Sequence, residues 1–370
     1  MPETAISALL SPLADRYSRQ ILFPGIGADG QAHLATAHAA IIGCGATGAA
    51  AAALLARAGV GTLTLIDRDF VEPSNLQRQI LFDEADALEG LPKAEAARRH
   101  IALFNAGVTV RAHIADLVPA NIEDVLSPAN GIDVYLDCTD NFETRYLLND
   151  YAVQQGKPWI YAAAVGAYAA TMNILPRTVE GIETKLPSTP AYEPTACLAC
   201  LFPKPPTGPV ETCDTSGILS TAVNLAASLQ VTEALKLLTR QPNLLRRSLI
   251  SFDLWTGDRS EINTSRPDPD CPVCGRREFT HLAGTGRPHI TLCGRNSVQI
   301  HEHQRPVDFI AMRARLARHP DIEDLRSNDL LLRFRRGPHT LTLFPDGRAV
   351  IQGTTDIIQA RTLYARFIGS

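Results

Sequence analysis

Four of the eight cysteines in this 370-residue chain form two matched pairs, Cys197-Leu-Ala-Cys200 and Cys271-Pro-Val-Cys274. Two C-x-x-C knuckles each supply two thiolates from a turn, which is the donor set of a closed tetrahedral zinc site, with a redox pair as the rival reading. Four thiolates leave no open coordination position, so such a metal would be structural. A second group of residues carries different chemistry. Gly43-Cys-Gly45-Ala46-Thr-Gly48 spaces three glycines as G-x-G-x-x-G between an apolar run (39–42) and an alanine-rich helical stretch. That arrangement receives a phosphate at a helix N-terminus. Gly43 would permit the tight turn, Gly45 would let the backbone approach the phosphate, and Gly48 would let the helix lie close on the strand. Asp67 ends the next apolar run (62–66), close to the spacing at which a carboxylate meets a ribose hydroxyl. Nucleotide binding is the reading these residues support.

Further charged groups gather around that turn. The loop after Asp67 contains Asp69, Asn75, Arg78 and Gln79, and a loop at the carboxyl end of a parallel strand is where ligands bind in open α/β sheets. Lys93 follows Leu91-Pro92 in the first turn of a helix reaching Phe104, where a cation opposes the macrodipole and is suited to serving an anion. Asp140 closes another strand-like run (132–136), in a position to hold Mg²⁺ against phosphate oxygens or, equally, to cap the helix that follows. Cys213 directly precedes a strongly periodic stretch (218–238). A helix N-terminus lowers a thiol pKa and favours a nucleophilic thiolate, although Asp214 works the other way and a buried cysteine is the alternative. Cys44, Cys138 and Cys293 read as packing residues.

The elements that must position these groups alternate. Strands at 39–42, 62–66, 108–114, 132–136 and 159–163 interleave with helices after Gly48, from Lys93 and over 142–155, and this order predicts an α/β fold with a Rossmann-like, doubly wound, mostly parallel sheet. The uncharged run 158–172 reads as a buried strand pair, too short to span a bilayer. A further strand at 248–254 closes the large domain. Eight prolines between Pro176 and Pro209 mark an irregular crossover, expected over 176–216, which a zinc site would staple to the end of the domain.

A polar, glycine-rich linker follows Cys274, and a small α+β tail reads as strand (290–292 or 298–300), helix (308–318), hairpin strands (330–335, 340–344 and 349–351) and helix (355–367). The expected domains are therefore 1–278 and 286–370. Net charge is −4, but residues 281–370 carry 13 Arg, no Lys and 8 acids, a balance of +5. Those arginines interleave with apolar positions, which fits solvated faces better than a nucleic-acid site. The N-terminal residues lack a basic segment followed by an apolar core, so a cytoplasmic protein is expected, with no membrane partner.

Arg16-Tyr-Ser-Arg19-Gln-Ile, the glycine turn, Asp67-x-Asp69, Ser74-Asn-Leu-Gln-Arg-Gln79, Leu91-Pro-Lys93, Asp137-Cys-Thr-Asp-Asn141 and the paired knuckles occur together, in order, over about residues 11–278. In this the chain resembles the ThiF/MoeB/HesA family, bacterial relatives of the ubiquitin-activating enzymes. The resemblance implies ATP-dependent adenylation of the C-terminal glycine of a ubiquitin-like sulfur carrier ending in Gly-Gly, of the ThiS or MoaD kind, in thiamine or molybdopterin-type sulfur transfer. It implies that Asp67 holds the ATP ribose, that Asn75, Arg78 and Lys93 grip the phosphates, and that Asp140 holds Mg²⁺. Arg19 resembles the arginine donated into the partner subunit's site, which implies a homodimer. Cys213 matches the position of a cysteine used by some members for a later acyl-thioester or acyl-disulfide step, and a sulfurtransferase is a further partner the family allows.

Two departures stand out. Ala46 replaces a further family glycine, and the tail lacks the active-site cysteine of an appended sulfurtransferase domain. An NAD-dependent oxidoreductase, a non-catalytic carrier-binding scaffold and a tRNA-modifying dehydratase of the same family are the competing readings.

Overall fold

The computed structural model describes residues 16–177, 192–205, 216–284, 297–300, 306–345 and 347–369. Cys213, Cys293 and much of the 176–216 crossover lie outside them. The chain divides into two compact units, Met1–Thr285 and Gly286–Ser370.

The described part of the first unit starts with the helices α1 (Ser18–Ile21) and α2 (Gly27–Thr36), and continues through β1 (His38–Ile42), α3 (Ala46–Ala58) and β2 (Thr62–Ile66). It proceeds through α4 (Glu84–Glu89), α5 (Lys93–Phe104), β3 (Thr109–His113), α6 (Ile122–Val125), β4 (Val134–Asp137), α7 (Phe142–Gln155), β5 (Trp159–Val165) and β6 (Tyr168–Ile174). The last elements are α8 (Leu198–Leu201), α9 (Ser220–Leu238), β7 (Ser248–Asp253) and β8 (Arg259–Asn263). The eight strands are ordered β3-β2-β1-β4-β5-β6-β7-β8. The first five run parallel and the remaining three pair antiparallel. This is the doubly wound, mostly parallel sheet expected from the alternation.

Alternation along β1 shows why the sheet must be covered on both faces. Ala39 and Ile41 pack into one core with alanines of α3 and α5 and with Val231 and Ala234 of α9. Ala40 and Ile42 pack into another with Tyr146 and Leu147 of α7, Trp159, and Cys197 and Cys271 of the knuckles. Successive strand residues face opposite sides, so the apolar run 39–42 of β1 needs two cores. The strand order reverses between β1 and β4, and the crevice beyond their carboxyl ends is the switch point where open α/β sheets take ligands.

β8 was not expected. All its residues are exposed, because an edge strand with one ladder partner buries little side-chain surface and therefore carries no apolar signature.

The second unit holds β9 (Ser297–Ile300), α10 (Phe309–Leu316), β10 (Glu323–Ser327), β11 (Leu332–Arg336), β12 (His339–Leu343), β13 (Ala349–Gln352) and α11 (Ile357–Phe367). The sheet order is β10-β11-β12-β13-β9, antiparallel throughout. Leu332, Phe334, Leu341, Leu343, Ala349 and Ile351 meet Leu316, Leu363 and Phe367 of the two helices in one core. Arg335 lies on the other face and pairs with Glu323 and Asp324 at the surface. The polar edge strand β10 was likewise absent from the sequence reading. Among the described residues no helix is long and apolar enough to cross a membrane.

Candidate active site

The glycine turn between β1 and α3 is shaped by hard steric limits. Gly43 has φ of 91°, in the left-handed region, and a Cβ there would stand 2.9 Å from the Cys138 carbonyl oxygen. A Cβ on Gly48 would lie 1.8 Å from the Gly43 carbonyl oxygen, so α3 can approach β1 only with glycine at that position. A Cβ on Gly45 would meet nothing within 4 Å, which leaves the backbone open toward the crevice. Ala49 is the first α3 residue whose N–H reaches an acceptor in the turn, the Gly45 carbonyl at 2.9 Å. Amides of the first helical turn lack helical acceptors and can serve a bound anion. Ala46 is half-buried at the first position of α3.

Asp67 locks this turn to the next loop. Its carboxylate accepts from the Cys44 N–H at 2.6 Å and the Asp69 N–H at 2.7 Å. Burial pushes the carboxyl above the usual carboxylate range, while the Lys93 ammonium pulls it back. Lys93 is 1% exposed, and its Nζ lies 3.3 Å from Asp69 Oδ2. The Lys93 N–H donates to the Asp69 carbonyl at 2.8 Å, the Val71 N–H donates to the Leu91 carbonyl at 2.8 Å, and Phe70 bridges to Pro92. Thus Leu91-Pro92-Lys93 is stitched along Asp69-Phe70-Val71, and Asp67, Asp69 and Lys93 form one cluster beneath the glycine turn. An ammonium has three donors, and one long contact to Asp69 leaves capacity for phosphate oxygens.

Arg68 was passed over in the sequence. Its Nη1 donates to Asp116 Oδ2 at 2.6 Å and its Nε lies 3.8 Å from Asp69 Oδ1, linking the loops after β2 and β3. Its position inside the Asp67-x-Asp69 motif was the available signal.

Asn75, Arg78 and Gln79 follow in the same loop. Asn75 is buried, and its Oδ1 accepts from the Glu72 N–H at 3.1 Å, closing a short 3₁₀ turn. Arg78 is half-buried and donates to the Ser74 carbonyl at 2.9 Å. Gln79 is buried, and its Oε1 has no hydrogen-bond partner among the described residues.

On the far side of the switch point the cap of α7 is Asn141, whose side chain accepts from the Glu143 N–H at 2.8 Å. The capping duty that competed for Asp140 therefore falls to its neighbour. Asp140 is exposed, with no hydrogen bond among the described residues, and its carboxylate suits a cation held against phosphates. Arg19 is exposed on α1, whereas Tyr17 and Gln20 are tied down, the first accepting from Asn105 Nδ2 at 2.9 Å and the second donating to Gln31 Oε1 at 2.7 Å and to the Ala58 carbonyl at 2.8 Å.

The four knuckle cysteines converge. Cys197 Sγ lies 3.9 Å from Cys200 Sγ and 3.6 Å from Cys271 Sγ, Cys200 Sγ lies 3.4 Å from Cys274 Sγ, and all four sulfurs fall within 4.8 Å of one another. Tetrahedral zinc with Zn–S of about 2.3 Å spaces its sulfurs about 3.8 Å apart, so the donor set fits that ion. Asn149 of α7 backs the cluster: its Nδ2 lies 3.9 Å from Cys197 Sγ, and its Oδ1 accepts from the Leu198 N–H at 3.0 Å.

A glycine turn open to an anion, a buried lysine among carboxylates at a switch point, and a separate four-cysteine cluster compatible with zinc define an α/β nucleotide-binding enzyme domain. The ThiF family profile matches residues 17–273, and the chain belongs to that family. It is 42% identical over 360 residues, 96% of this chain and 100% of the relative, to the sulfur carrier protein ThiS adenylyltransferase of Bacillus subtilis. It is 37% identical over 263 residues, 70% of this chain and 88% of the relative, to the SAMP-activating enzyme E1 of Haloferax volcanii. Among solved structures, E. coli MccB with MccA-N7isoASN superposes with a TM-score of 0.59 at 23% identity, covering 74% of this chain and 83% of that one, a likeness of fold.

Proposed function

We propose that this ThiF-family adenylyltransferase transfers AMP from ATP to the C-terminal glycine carboxylate of a ubiquitin-like sulfur carrier ending in Gly-Gly, within thiamine-type sulfur transfer. The enzyme class and the sulfur-carrier substrate rest on the relatives, and the alignment with the ThiS adenylyltransferase spans almost the whole chain. The observation that carries the reading is the buried Lys93 ammonium near the open glycine turn, a cation that would serve a triphosphate bound there.

A peptide carboxylate is ionised at neutral pH, with a pKa of about 3.3–3.7, so its attack on the α-phosphorus needs no general base. One carboxylate oxygen bonds to phosphorus, the bond to the bridging oxygen breaks, and pyrophosphate departs with that electron pair. Such a step depends on alignment and on neutralising charge at the phosphates. Lys93, Arg78 and the α3 amides would supply that neutralisation, Asp67 and Asn75 would orient the nucleotide, and Gln79 would offer its free Oε1. Mg²⁺, held by Asp140, would add the Lewis acidity that screens the leaving group. Zinc on Cys197, Cys200, Cys271 and Cys274 would staple the crossover. Arg19, exposed beside Leu22 and Phe23, would reach the site of a second copy in a homodimer. The Cys213 sulfur would then attack the acyl-adenylate carbonyl, forming a thioester as the bond to phosphate breaks and AMP leaves, with a sulfurtransferase as the source of sulfur.

The test is ATP–pyrophosphate exchange in the presence of a candidate carrier, followed by mass spectrometry of the carrier for an added AMP. Exchange that appears only with a carrier whose Gly-Gly end is intact supports the reading. Saturable nicotinamide-dinucleotide binding with no exchange would sink it.

A further inference from the structure

Arg145 of α7 is 5% exposed, and each of its hydrogen bonds ends on the rim of the switch point. Nε donates to Asp137 Oδ2 at 2.6 Å, and Nη2 donates to the Thr139 carbonyl at 2.6 Å and to the Ala162 carbonyl at 3.1 Å. Tyr161 and Phe142 lie against the guanidinium, with ring centroids 4.6 Å and 5.5 Å from Cζ. From the other side, Asp137 Oδ1 accepts from the Thr139 N–H at 3.0 Å and from its hydroxyl at 2.7 Å. The peptide groups of Thr139 are therefore held at nitrogen, side chain and carbonyl oxygen. Asp140 is the next residue and makes no hydrogen bond among the described residues.

We propose that Arg145 is a positioning residue for Asp140: with Asp137 it clamps Thr139, fixes the direction in which the Asp140 carboxylate leaves the β4–α7 turn, and so sets the divalent-cation affinity of the nucleotide site. The proposal rests on Asp140 holding that cation in the reaction proposed above. Arg145 is enclosed, and its Nε and Nη2 donors end on Asp137, Thr139 and Ala162, so it acts through the turn. A guanidinium is required because the bonds leave one rigid plane in divergent directions, to a carboxylate on β4, a carbonyl in the turn and a carbonyl on β5. A lysine could reach one of these acceptors and would leave the Thr139 carbonyl free to rotate. Asp137 is the ion-pair partner of the arginine, 2.6 Å from its Nε. The rival is a plain staple between β4 and β5, which would affect stability and leave metal affinity alone.

The experiment uses the full chain and a non-hydrolysable ATP analogue, with binding followed by calorimetry over a magnesium series and Mn²⁺ occupancy read by electron paramagnetic resonance. In Arg145→Lys and Arg145→Met the half-saturating cation concentration is expected to rise roughly 10–100-fold, the range for loss of an outer-shell support, with metal-free analogue binding unchanged. Folded variants whose thermal midpoint falls while cation affinity stays at the wild-type value would overturn the proposal. If both arginine variants fail to fold, Asp137→Asn removes the ion pair with little change of size, and the same rise supports the clamp while wild-type affinity refutes it. A wild-type protein that binds the analogue with no response to magnesium would instead remove Asp140's role as a cation ligand, and with it the proposal.

Discussion

Lys93 and Asp69 face each other at 3.3 Å in a cluster where the lysine is almost wholly enclosed and the carboxylate is 27% exposed. The contact is longer than the 2.7–2.9 Å of a strong charge-assisted bond. The enclosed ammonium is thus oriented by Asp69 and retains donors for another anion. Replacing it by methionine, of similar length and no charge, should leave the fold intact and lower ATP–pyrophosphate exchange about 10²–10³-fold, the usual loss on removing a preorganised electrostatic group. Exchange kinetics together with a thermal midpoint near wild type check this. Equal losses of stability and activity would point to a structural ion pair.

Two glycines of one turn should behave oppositely. A methyl on Gly48 collides with the Gly43 carbonyl, whereas a methyl on Gly45 projects into open space. Gly48→Ala should cost at least about 1–3 kcal/mol of stability, the overpacking range, and show first in thermal unfolding. Gly45→Ala should keep the wild-type midpoint and weaken nucleotide binding, because the methyl occupies space that the phosphate needs. Calorimetric titration with an ATP analogue separates the two.

The four-cysteine centre should carry about one zinc per chain, measured by elemental analysis of protein purified without chelator. Cys271→Ser should lower both metal content and thermal midpoint. Its effect on exchange should be smaller than that of Lys93→Met, since the knuckles pack in the core on the α7 face and the lysine opens α5, whose alanines pack in the other core.

Arg19 and Asp140 offer a test of a shared site. In a symmetric dimer each chain would give Arg19 to its partner and keep Asp140 for itself. Arg19→Ala and Asp140→Ala proteins should each be inactive in exchange. Mixed after dissociation, they should recover roughly a quarter of wild-type activity, because half the dimers are mixed and each mixed dimer rebuilds one site. No recovery on verified subunit exchange would place both residues in the same chain's site.

The legible parts of the site are those with little physical freedom. Gly43 and Gly48 announce themselves because no other residue fits the turn, and the knuckles because two thiolates need two intervening residues. β1 and β4 were visible because strands buried on both faces carry continuous apolar runs, with a polar residue only at one end. Arg145 was invisible: an arginine inside a helix reads as a surface charge, and its partner Asp137, two residues before Thr139, is defined by folding alone. The Arg68–Asp116 pair was hidden for the same reason, since 48 residues separate its members. Edge strands β8 and β10 escaped because backbone pairing, which leaves no trace in side-chain pattern, holds them.

His38 gives the fold a dependence on pH that is independent of the nucleotide site. The ring starts β1 and lies between the Asn130 carbonyl, 3.1 Å from Nδ1, and the Thr64 hydroxyl, 2.8 Å from Nε2. A neutral imidazole satisfies both contacts by donating from Nδ1 and accepting at Nε2. Burial, assisted by Arg111, lowers the pKa to about 4. In the unfolded chain the group titrates near 6.5, so between about pH 6.5 and 4 the unfolded state binds the proton and the folded state does not. Stability therefore falls as pH falls through that window and levels off below it, with the full contribution present above about 6.5. His38→Gln, which keeps a donor and an acceptor and cannot be protonated, should flatten the decline in thermal midpoint between those limits while lowering the midpoint at neutral pH through poorer packing. An unchanged slope in a folded His38→Gln protein would assign the acid sensitivity to other groups.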